Sequence, residues 1–329
     1  MKNIKRIFIP LSIVLSIFAV SLSCSNDDEI VLTPSKVTED TSGDTETTTG
    51  EVEGSDGEIT LYKVDGENIT KIQDYKVSGK NLEYQKDVAK HNEIWELVKK
   101  IVPLEQRKKM GEFLIYNGET SGSAGFVIEM EYDLSVWKMG IAIDYAYLGG
   151  FNAGGELAYT IIHEFGHILT LDNTQLDATI TKENCKNYFP GEGCALEASY
   201  INELHSNFWN DIWSEYQEAT KDAASQQKFY EKYKERYVTQ YASTNPAEDI
   251  AEVFATFTTL KDKPEGKSIA EKKILLMYNR TELVNFRDHI RKNLALRGKG
   301  STAAFELPQP GKWKQANTFG NPSKTKCRH

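Results

Sequence analysis

The sequence predicts an α+β domain in which a small early sheet is followed by a mostly helical half that carries a metal site. Two observations support the fold class. Short apolar runs separated by glycines occur before about residue 145, whereas from Gly155 onward the apolar residues recur at helical spacing. A third observation, two histidines four residues apart in the first of these later helices, locates the candidate chemistry.

The composition is that of a folded domain with an acidic balance. The 329 residues include 39 Lys and Arg against 48 Asp and Glu, a formal net charge of -9. This balance argues against a nucleic-acid partner, which would need clustered positive charge. The acidity is uneven, because 11 acidic residues and one lysine lie within residues 25–58 and leave residues 59–329 with a net charge of -2. The charge therefore says nothing about a substrate.

The first 23 residues have the pattern of a processing signal. A short basic start precedes an apolar stretch from Ile7 to Leu22, and small residues stand directly before Cys24. The pattern resembles a bacterial lipoprotein signal, which implies that Cys24 becomes a lipidated N-terminus that anchors the protein to a membrane. An ordinary secretory peptide and an uncleaved anchor helix are the alternatives.

Residues 24–58 are predicted to be the lipidated cysteine and an acidic, disordered tether. The segment has few large apolar residues and cannot bury enough surface to offset its ordering entropy. A flexible chain of this length would hold the domain roughly 30 Å from the membrane. The acidic cluster Asp27–Glu29 resembles the export signal of surface lipoproteins of the Bacteroidetes, which implies an outer-membrane location facing the cell exterior.

The early elements of the domain follow from residue spacing. Residues 59–64 alternate like a strand, and residues 87–101 have apolar residues at helical spacing with a proline after the end. Three apolar runs punctuated by glycines predict strands at 113–116, 124–131 and 139–145. The last of these is the strand expected to offer its edge to an extended peptide.

The later elements are predicted to be helices. Apolar residues recur at helical spacing in six segments: 156–170, 196–219, 225–240, 246–261, 268–278 and 281–296. With the early strands they give a domain over residues 59–298, and residues 299–329 form a C-terminal tail. Aromatic residues are frequent in the second and third of these helices, where core packing is the expected role.

The candidate chemistry lies in a His-Glu-x-x-His pattern. His163 and His167 differ by about 40° around a helix, so both imidazoles can bind one metal ion. Glu164 cannot easily share that metal, but it can take a proton from a metal-bound water and return it to a leaving group. Thr170 and Asn173 occupy the positions where a metzincin has Gly and His, which excludes that family. Two ordinary helix histidines are the alternative.

A metal site of this type needs a third protein ligand. The segment 241–255 has helix-start signals and an apolar face, and it carries Glu248 and Glu252 on one side. One carboxylate can bind the metal while the other accepts a hydrogen bond from a ligating histidine. A solvated acidic face is the alternative interpretation, and His205 is a weaker candidate for the third ligand.

Residues 163–167 and 241–252 together resemble the gluzincin metallopeptidases, in particular the branch that contains anthrax lethal factor. With the lipoprotein signal added, the chain more closely resembles the substrate import-associated zinc metallohydrolase lipoproteins of the Bacteroidetes. The resemblance covers roughly residues 90–300 and implies a zincin-like fold with one Zn²⁺ ion. The 81-residue gap between His167 and Glu248 is longer than that branch suggests. Which glutamate binds the metal therefore stays open.

The resemblance also implies residue roles and partners. The implied roles are metal binding by His163, His167 and Glu248, general base catalysis by Glu164, oxyanion stabilisation by Tyr241, and support of a ligating histidine by Glu252. The implied substrate is a peptide or protein, and the implied partner is a TonB-dependent nutrient-uptake complex. The alternative is a binding accessory of that complex that keeps the zinc fold but hydrolyses little.

Two cysteines bracket a loop rich in Gly and Pro. Cys185 and Cys194 lie between the histidine helix and the glutamate helix. In an exported protein this pattern favours a disulfide, which would stiffen a loop near the cleft and leave Cys327 unpaired.

Overall fold

The computed structural model describes residues 52–54, 57–151, 153 and 155–294. The predicted signal, the lipidation site Cys24, most of the tether and the C-terminal tail lie outside these residues. Within them, no helix has both the length and the apolar character needed to cross a membrane.

A six-stranded mixed sheet occupies the early part of the chain. Its strands are β1 (Val52–Glu53), β2 (Glu58–Asp65), β3 (Asn68–Lys76), β4 (Met110–Tyr116), β5 (Gly125–Glu129) and β6 (Trp137–Ala142). Their spatial order is β1-β3-β2-β4-β6-β5, with parallel pairing only for β1 with β3 and for β4 with β6 among these strands. Strand β5 is therefore one edge of the described sheet.

The sheet differs from the prediction at three places. The strand predicted at 139–145 ends at Ala142 as part of β6, and Ile143–Ala146 is a short helix; β6 lies between β4 and β5 and has no free edge. The edge on this side belongs to β5, because β5 pairs antiparallel with β6 and adds a strand outside it. Strand β3 was not predicted, since its largely exposed residues lack apolar alternation and its register comes from pairing with β2. Strand β1 lies within the predicted tether and pairs with β3.

Helices dominate the later part of the chain, which confirms the early sheet and the helical second half. The helices are α1 (Gly79–Lys86), α2 (Val88–Ile101), α3 (Leu104–Arg107), α4 (Gly118–Ser121), α5 (Ile143–Ala146), α6 (Glu156–Leu171), α7 (Tyr200–Phe208), α8 (Trp213–Ala219), α9 (Ala223–Tyr233), α10 (Pro246–Thr259), α11 (Ile269–Tyr278) and α12 (Thr281–Asn293). A short 3₁₀ turn, Tyr241–Ser243, precedes α10. The two-residue strands β7 (Leu176–Asp177) and β8 (Cys194–Ala195) pair with each other.

Two predicted helices differ from the observed ones by more than a few residues at their ends. The segment 196–219 divides into α7 and α8, because the chain turns at Trp209–Ile212 and buries the Trp209 ring completely. The segment predicted at 225–240 ends as an α-helix at Tyr233. Helices α6 and α10 pack directly against each other in the main core, and α6 also packs against strand β5. This three-way packing brings the candidate metal ligands and the sheet edge to one place.

Candidate metal centre

Helix α6 holds both predicted histidine ligands inside the core. Most of its residues are buried, including His163 and Glu164, so the polar groups must find partners there. The Nε2 atoms of His163 and His167 lie 3.1 Å apart. The helical spacing thus brings two imidazole nitrogens to the same point, as the sequence pattern predicted.

Helix α10 brings a carboxylate to the same point. The Asn245 side chain accepts a 2.9 Å hydrogen bond from the backbone N–H of Glu248, and Pro246 occupies the first turn, so the helix starts where the sequence signals placed it. The Oε2 atom of Glu248 lies 3.2 Å from His163 Nε2 and 3.3 Å from His167 Nε2. The three atoms form a nearly equilateral triangle.

The size of this triangle fits a metal ion. Ligand atoms at zinc distances of about 2.0–2.2 Å in a tetrahedral site lie about 3.3–3.6 Å from one another, close to the observed sides of 3.1–3.3 Å. Two imidazole nitrogens and a carboxylate oxygen that converge at these distances are the donor set that a shared zinc ion requires. His163, His167 and Glu248 are therefore a group that could hold a metal ion.

Glu252 lies behind His163 and not in the triangle. Its Oε1 is 2.7 Å from His163 Nδ1, on the side of the ring that faces away from Glu248. Its Oε2 accepts hydrogen bonds from the Tyr159 hydroxyl at 2.9 Å and from the Thr239 hydroxyl at 2.6 Å. A carboxylate in this position keeps the proton of His163 on Nδ1 and leaves the Nε2 lone pair for a metal. The geometry thus assigns different positions to the two glutamates.

Burial and charge act in opposite directions on this cluster. Burial alone would lower the pKa of His163, but hydrogen bonds to Glu248 and Glu252 outweigh it and raise the pKa. Burial alone would raise the pKa of Glu248, but His167 and His163 outweigh it and lower the pKa. Glu248 is therefore held as the carboxylate, the form that binds metal.

Glu164 projects from α6 into the cavity beside the triangle. Burial is the main cause that raises the pKa of its carboxyl, and the negative charges of Glu248 and Glu252 raise it further, against the opposing effect of the two histidines. Strand β5 leaves space for this side chain. A Cβ at Gly125 would lie 2.9 Å from Glu164 Cγ and 2.7 Å from Thr160 Cγ2. A glycine at that position lets the sheet edge approach the carboxylate closely.

Tyr241 lies on the other side of the cluster. Its ring centroid is 5.8 Å from that of His163, and its side chain lines the cavity. Burial, followed by the charges of Glu248 and Glu164, raises the pKa of the phenol well above its usual range. The hydroxyl consequently stays protonated, and it lies within hydrogen-bonding reach of Glu248.

The cavity that contains these groups has a volume of about 680 Å³. One part of its lining is strand β5, and another is formed by aromatic residues from the stretch between α6 and α10. This volume is in the range of about 300–1,000 Å³ typical of ligand sites. The arrangement can therefore place a substrate segment beside a metal ion, a carboxylate with a raised pKa and a phenol donor.

Other predicted residues lie elsewhere. His205, the weaker candidate for the third ligand, stacks on Tyr188 with ring centroids 4.4 Å apart and is not part of the metal-binding group of the described residues. Cys185 and Cys194 form a disulfide with a Cα–Cα distance of 5.4 Å, and Cys327 lies outside the described residues.

Sequence reasoning missed three contributors to the site: Tyr159, Thr239 and Gly125. Tyr159 precedes His163 by four residues on a helix, so its position on the same face was a signal that could have found it. Thr239 and Gly125 come from segments whose approach to α6 depends on tertiary packing, and the sequence carries no comparable signal for them.

Comparison with known proteins gives one match. Residues 163–302 match the model of a family described as "Putative zinc-binding metallo-peptidase". Comparisons with curated proteins and with solved structures gave no match. The matched family is zinc-binding, and its segment contains all three residues of the triangle. The match points to hydrolysis of peptide bonds as the activity class.

Proposed function

We propose that this chain is a zinc-dependent peptidase of the gluzincin type with a zincin-like fold. In this proposal His163, His167 and Glu248 bind one zinc ion. The observation that carries the proposal is the position of Glu248 Oε2, at 3.2 and 3.3 Å from the two Nε2 atoms of a His-Glu-x-x-His helix. Two histidines alone are common on helices. A buried carboxylate from a separate helix that completes a triangle of zinc dimensions indicates a zinc site far more specifically.

Residues of the chain would transfer the proton and stabilise the negative charge that develops on the substrate oxygen. Zinc, when bound, acts as a Lewis acid and lowers the pKa of a water toward about 7. Glu164 accepts the proton of the attacking water and then donates it to the leaving amine, and its raised pKa suits both steps. Tyr241 donates a hydrogen bond to the oxygen that becomes negative during the attack. Glu252 keeps the His163 ring oriented throughout.

Strand β5 is the proposed docking edge for an extended peptide. One side of β5 pairs with β6, and β5 is the edge of the described sheet and lines the cavity. Unpaired backbone groups of an edge strand can pair with an incoming chain, which aligns its carbonyl groups along the cleft. Gly125, at the start of β5, lies beside Glu164. A peptide on this edge would therefore pass the proposed base.

The proposal also assigns a cellular location to the protein. The lipoprotein-like pattern at residues 1–23, the cysteine at position 24 and the acidic segment after it support a lipid anchor on the outer membrane, facing the cell exterior. A surface peptidase at that location would trim peptides for uptake, with a TonB-dependent complex as its partner. A binding accessory without hydrolysis is the competing function, and Glu164 argues against it, because binding zinc does not require that carboxylate.

Hydrolysis and zinc binding can be measured on the same samples. The full chain is loaded with zinc, its metal content is measured, and its cleavage of a denatured protein mixture is compared with that of Glu164→Gln. We expect one zinc per chain in both proteins and a rate at least about 100-fold lower in the variant, since a general base contributes about 10²–10⁴. An equal, zero rate with zinc bound in both would reject the peptidase and favour the accessory.

The third ligand is tested separately. Glu248→Ala should weaken zinc binding strongly, because one of three protein ligands is lost. Unchanged zinc affinity in this variant would reject the assignment of Glu248 but not the peptidase activity.

A further inference from the structure

We propose that the cavity selects substrates with a large apolar side chain, aromatic by preference, close to the scissile bond. The selecting surface is an aromatic wall formed by Tyr188, Phe189, Pro190, Trp213 and Tyr216, all of which line the cavity that contains the metal triangle. The inference rests on the proposed peptidase function and adds a substrate class to it. Core packing was the expected role of Trp213 and Tyr216, whereas Tyr188, Phe189 and Pro190 were expected in a loop near the cleft.

The aromatic wall is tied to the reacting groups. The Tyr216 hydroxyl donates a 2.8 Å hydrogen bond to the backbone carbonyl of Thr244. Thr244 connects the turn that carries Tyr241 to Asn245, the residue that caps the glutamate helix. This hydrogen bond, together with the short chain segment from Tyr241 to Thr244, therefore limits the distance between the aromatic wall and the proposed oxyanion donor. A side chain held on the wall would set the position of a nearby carbonyl.

The rings are fixed before any ligand arrives. Trp213 stacks on Tyr216 with centroids 5.0 Å apart, and it meets Tyr188 edge to face at 5.7 Å. The completely buried Trp209 packs behind Tyr216 at 5.1 Å. Rings that are already immobilised lose little entropy when they bind a ligand, which favours affinity.

The disulfide fixes the loop part of the aromatic wall. Phe189 and Pro190 lie in the loop closed by Cys185 and Cys194, and they are only half-buried. Inside this loop the Ala195 backbone N–H donates to the Tyr188 carbonyl at 2.9 Å, and β8 pairs with β7. A covalent bridge and backbone pairing together keep an otherwise exposed loop against the cavity.

The chemistry of the aromatic wall favours apolar groups. None of its five side chains is charged, so a charged substrate group placed there would lose hydration without a partner. Lys182 and Glu192 of the same stretch also line the cavity and have opposite charges. A buried aromatic ring is stabilised by ring contacts in addition to its area burial.

Sugars also bind to aromatic surfaces, but they need polar groups beside the rings for their hydroxyls. The Tyr216 hydroxyl is already donated to Thr244. The ring faces of the aromatic wall fit a Phe, Tyr, Trp or Leu side chain, and a glycosylated peptide in the titration below distinguishes such a side chain from a glycan.

Binding can be measured without turnover. The zinc-loaded full chain with Glu164→Gln is titrated with blocked hexapeptides of one Gly/Ala background, in which Phe, Leu, Ser or Glu is placed at each position in turn. We expect Phe and Leu at one fixed position to bind about tenfold or more tighter than Ser, a discrimination typical of apolar pockets. Phe189→Ala and Trp213→Ala, added singly, should remove this advantage.

Two controls keep the result interpretable. Tyr230→Ala removes a partly buried aromatic ring on α9 that does not line the cavity, and it should retain the selectivity. Phe189 is a half-buried loop residue, so its variant should fold even if Trp213→Ala does not. Equal affinity for all peptides, or full selectivity in Phe189→Ala, would overturn the proposal. Tighter binding of a glycosylated Ser peptide than of the Phe peptide would overturn it in favour of sugar recognition.

The same peptides separate this inference from the proposed function when wild type replaces Glu164→Gln. Selective binding with no turnover of any peptide would reject the peptidase and retain the aromatic wall. Turnover of all peptides at equal kcat/KM would retain the peptidase and reject the selectivity.

Discussion

Helix α10 carries buried carboxylates on two faces, and the groups that compensate their negative charge differ between the two faces. Toward α6, Glu248 and Glu252 meet the two histidines. On another face Asp249, the residue directly after Glu248, accepts bonds from Lys273 Nζ at 2.5 Å and from Trp209 Nε1 at 2.7 Å. Both side chains of the Asp249–Lys273 pair are completely buried.

The two faces of α10 differ in the group that supplies the positive charge. Lys273 of α11 pairs with the single negative charge of Asp249. Its ammonium also lies 4.4 Å from the centroid of the Tyr237 ring. On the other face, among the described residues, the ion-pair partners of Glu248 and Glu252 are imidazoles only. Imidazoles that bind a metal are neutral. A divalent ion would supply there the charge that a lysine supplies at Asp249.

Burial disfavours both charges of the Asp249–Lys273 pair. Burial raises the pKa of Asp249 and lowers the pKa of Lys273, and each charge partly offsets the shift of the other. Both groups are thus pushed toward neutrality, which means that their ionic forms are held at a cost in free energy. The pair directs Asp249 toward α11, while Glu248 on the same helix is directed toward α6.

The largest expected effect comes from removing the internal cation. Lys273→Met leaves the Asp249 charge buried and unpaired, so we expect the unfolding free energy of the metal-free chain to fall by about 3–5 kcal/mol. Urea unfolding followed by circular dichroism measures this change. The control is Lys221→Met, which removes an exposed partner of Glu218 and should change stability by about 1 kcal/mol or less.

A double variant sharpens the same comparison. Asp249→Leu combined with Lys273→Met removes both charges and should recover most of the loss, because apolar replacement of a complete buried pair is often neutral. A loss below about 1 kcal/mol for Lys273→Met alone would show that the pair is not held as ions, and the contrast between the two faces would fail.

A smaller effect is expected on the metal-facing side. Glu252→Gln keeps the shape of the side chain but weakens its hold on His163 Nδ1, and such supporting carboxylates typically contribute 10–100-fold to metal affinity. Zinc affinity is measured by competition with a chromogenic chelator. Glu203→Gln, which alters an ion pair with Arg280 outside the metal cluster, is the matched control and should leave zinc affinity unchanged. Equal affinities in both variants would place Glu252 outside the metal site.

Local signals predicted the metal-facing side well. The His-Glu-x-x-His spacing acts within one helix turn, and the prediction of 156–170 differs by one residue from the observed end of α6. Asn245 and Pro246 are likewise local start signals, and the predicted start of α10 at residue 246 is the observed one. Capping and helical spacing depend on neighbours in sequence, so they can be read without the tertiary structure.

Features that depend on distant pairing could not be predicted. The order of β5 and β6 in the sheet is set by which strands meet, and the apolar runs of both look alike in sequence. Lys273 follows another lysine in α11, a pattern typical of a solvated face, yet it is completely buried against Asp249. Only the partner contributed by another helix makes that burial possible.

His205 extends the comparison to a partly buried ionisable group that has no counter-charge among the described residues. Its Nε2 is buried without a hydrogen-bond partner in the part of the chain that the structure describes, and its ring centroid lies 4.4 Å from that of Tyr188 and 4.7 Å from that of Trp213. Burial lowers the pKa of this imidazole from 6.5 to about 4. The imidazole therefore remains neutral in the folded chain under conditions in which it would be protonated in the unfolded chain.

The pH dependence of stability tests this difference, and it is the smallest effect, because the imidazole is partly exposed and solvent screens it. Below pH 6.5 the unfolded chain binds a proton that the folded chain accepts only near pH 4, so stability is present above 6.5 and is lost as the pH falls toward 4. The measurement compares urea unfolding of metal-free wild type and His205→Phe between pH 7 and 4. Wild type should lose more stability than the variant across this window, since Phe keeps the ring contacts but binds no proton. Parallel curves for the two proteins would mean that His205 already has a partner for its charge in the folded chain.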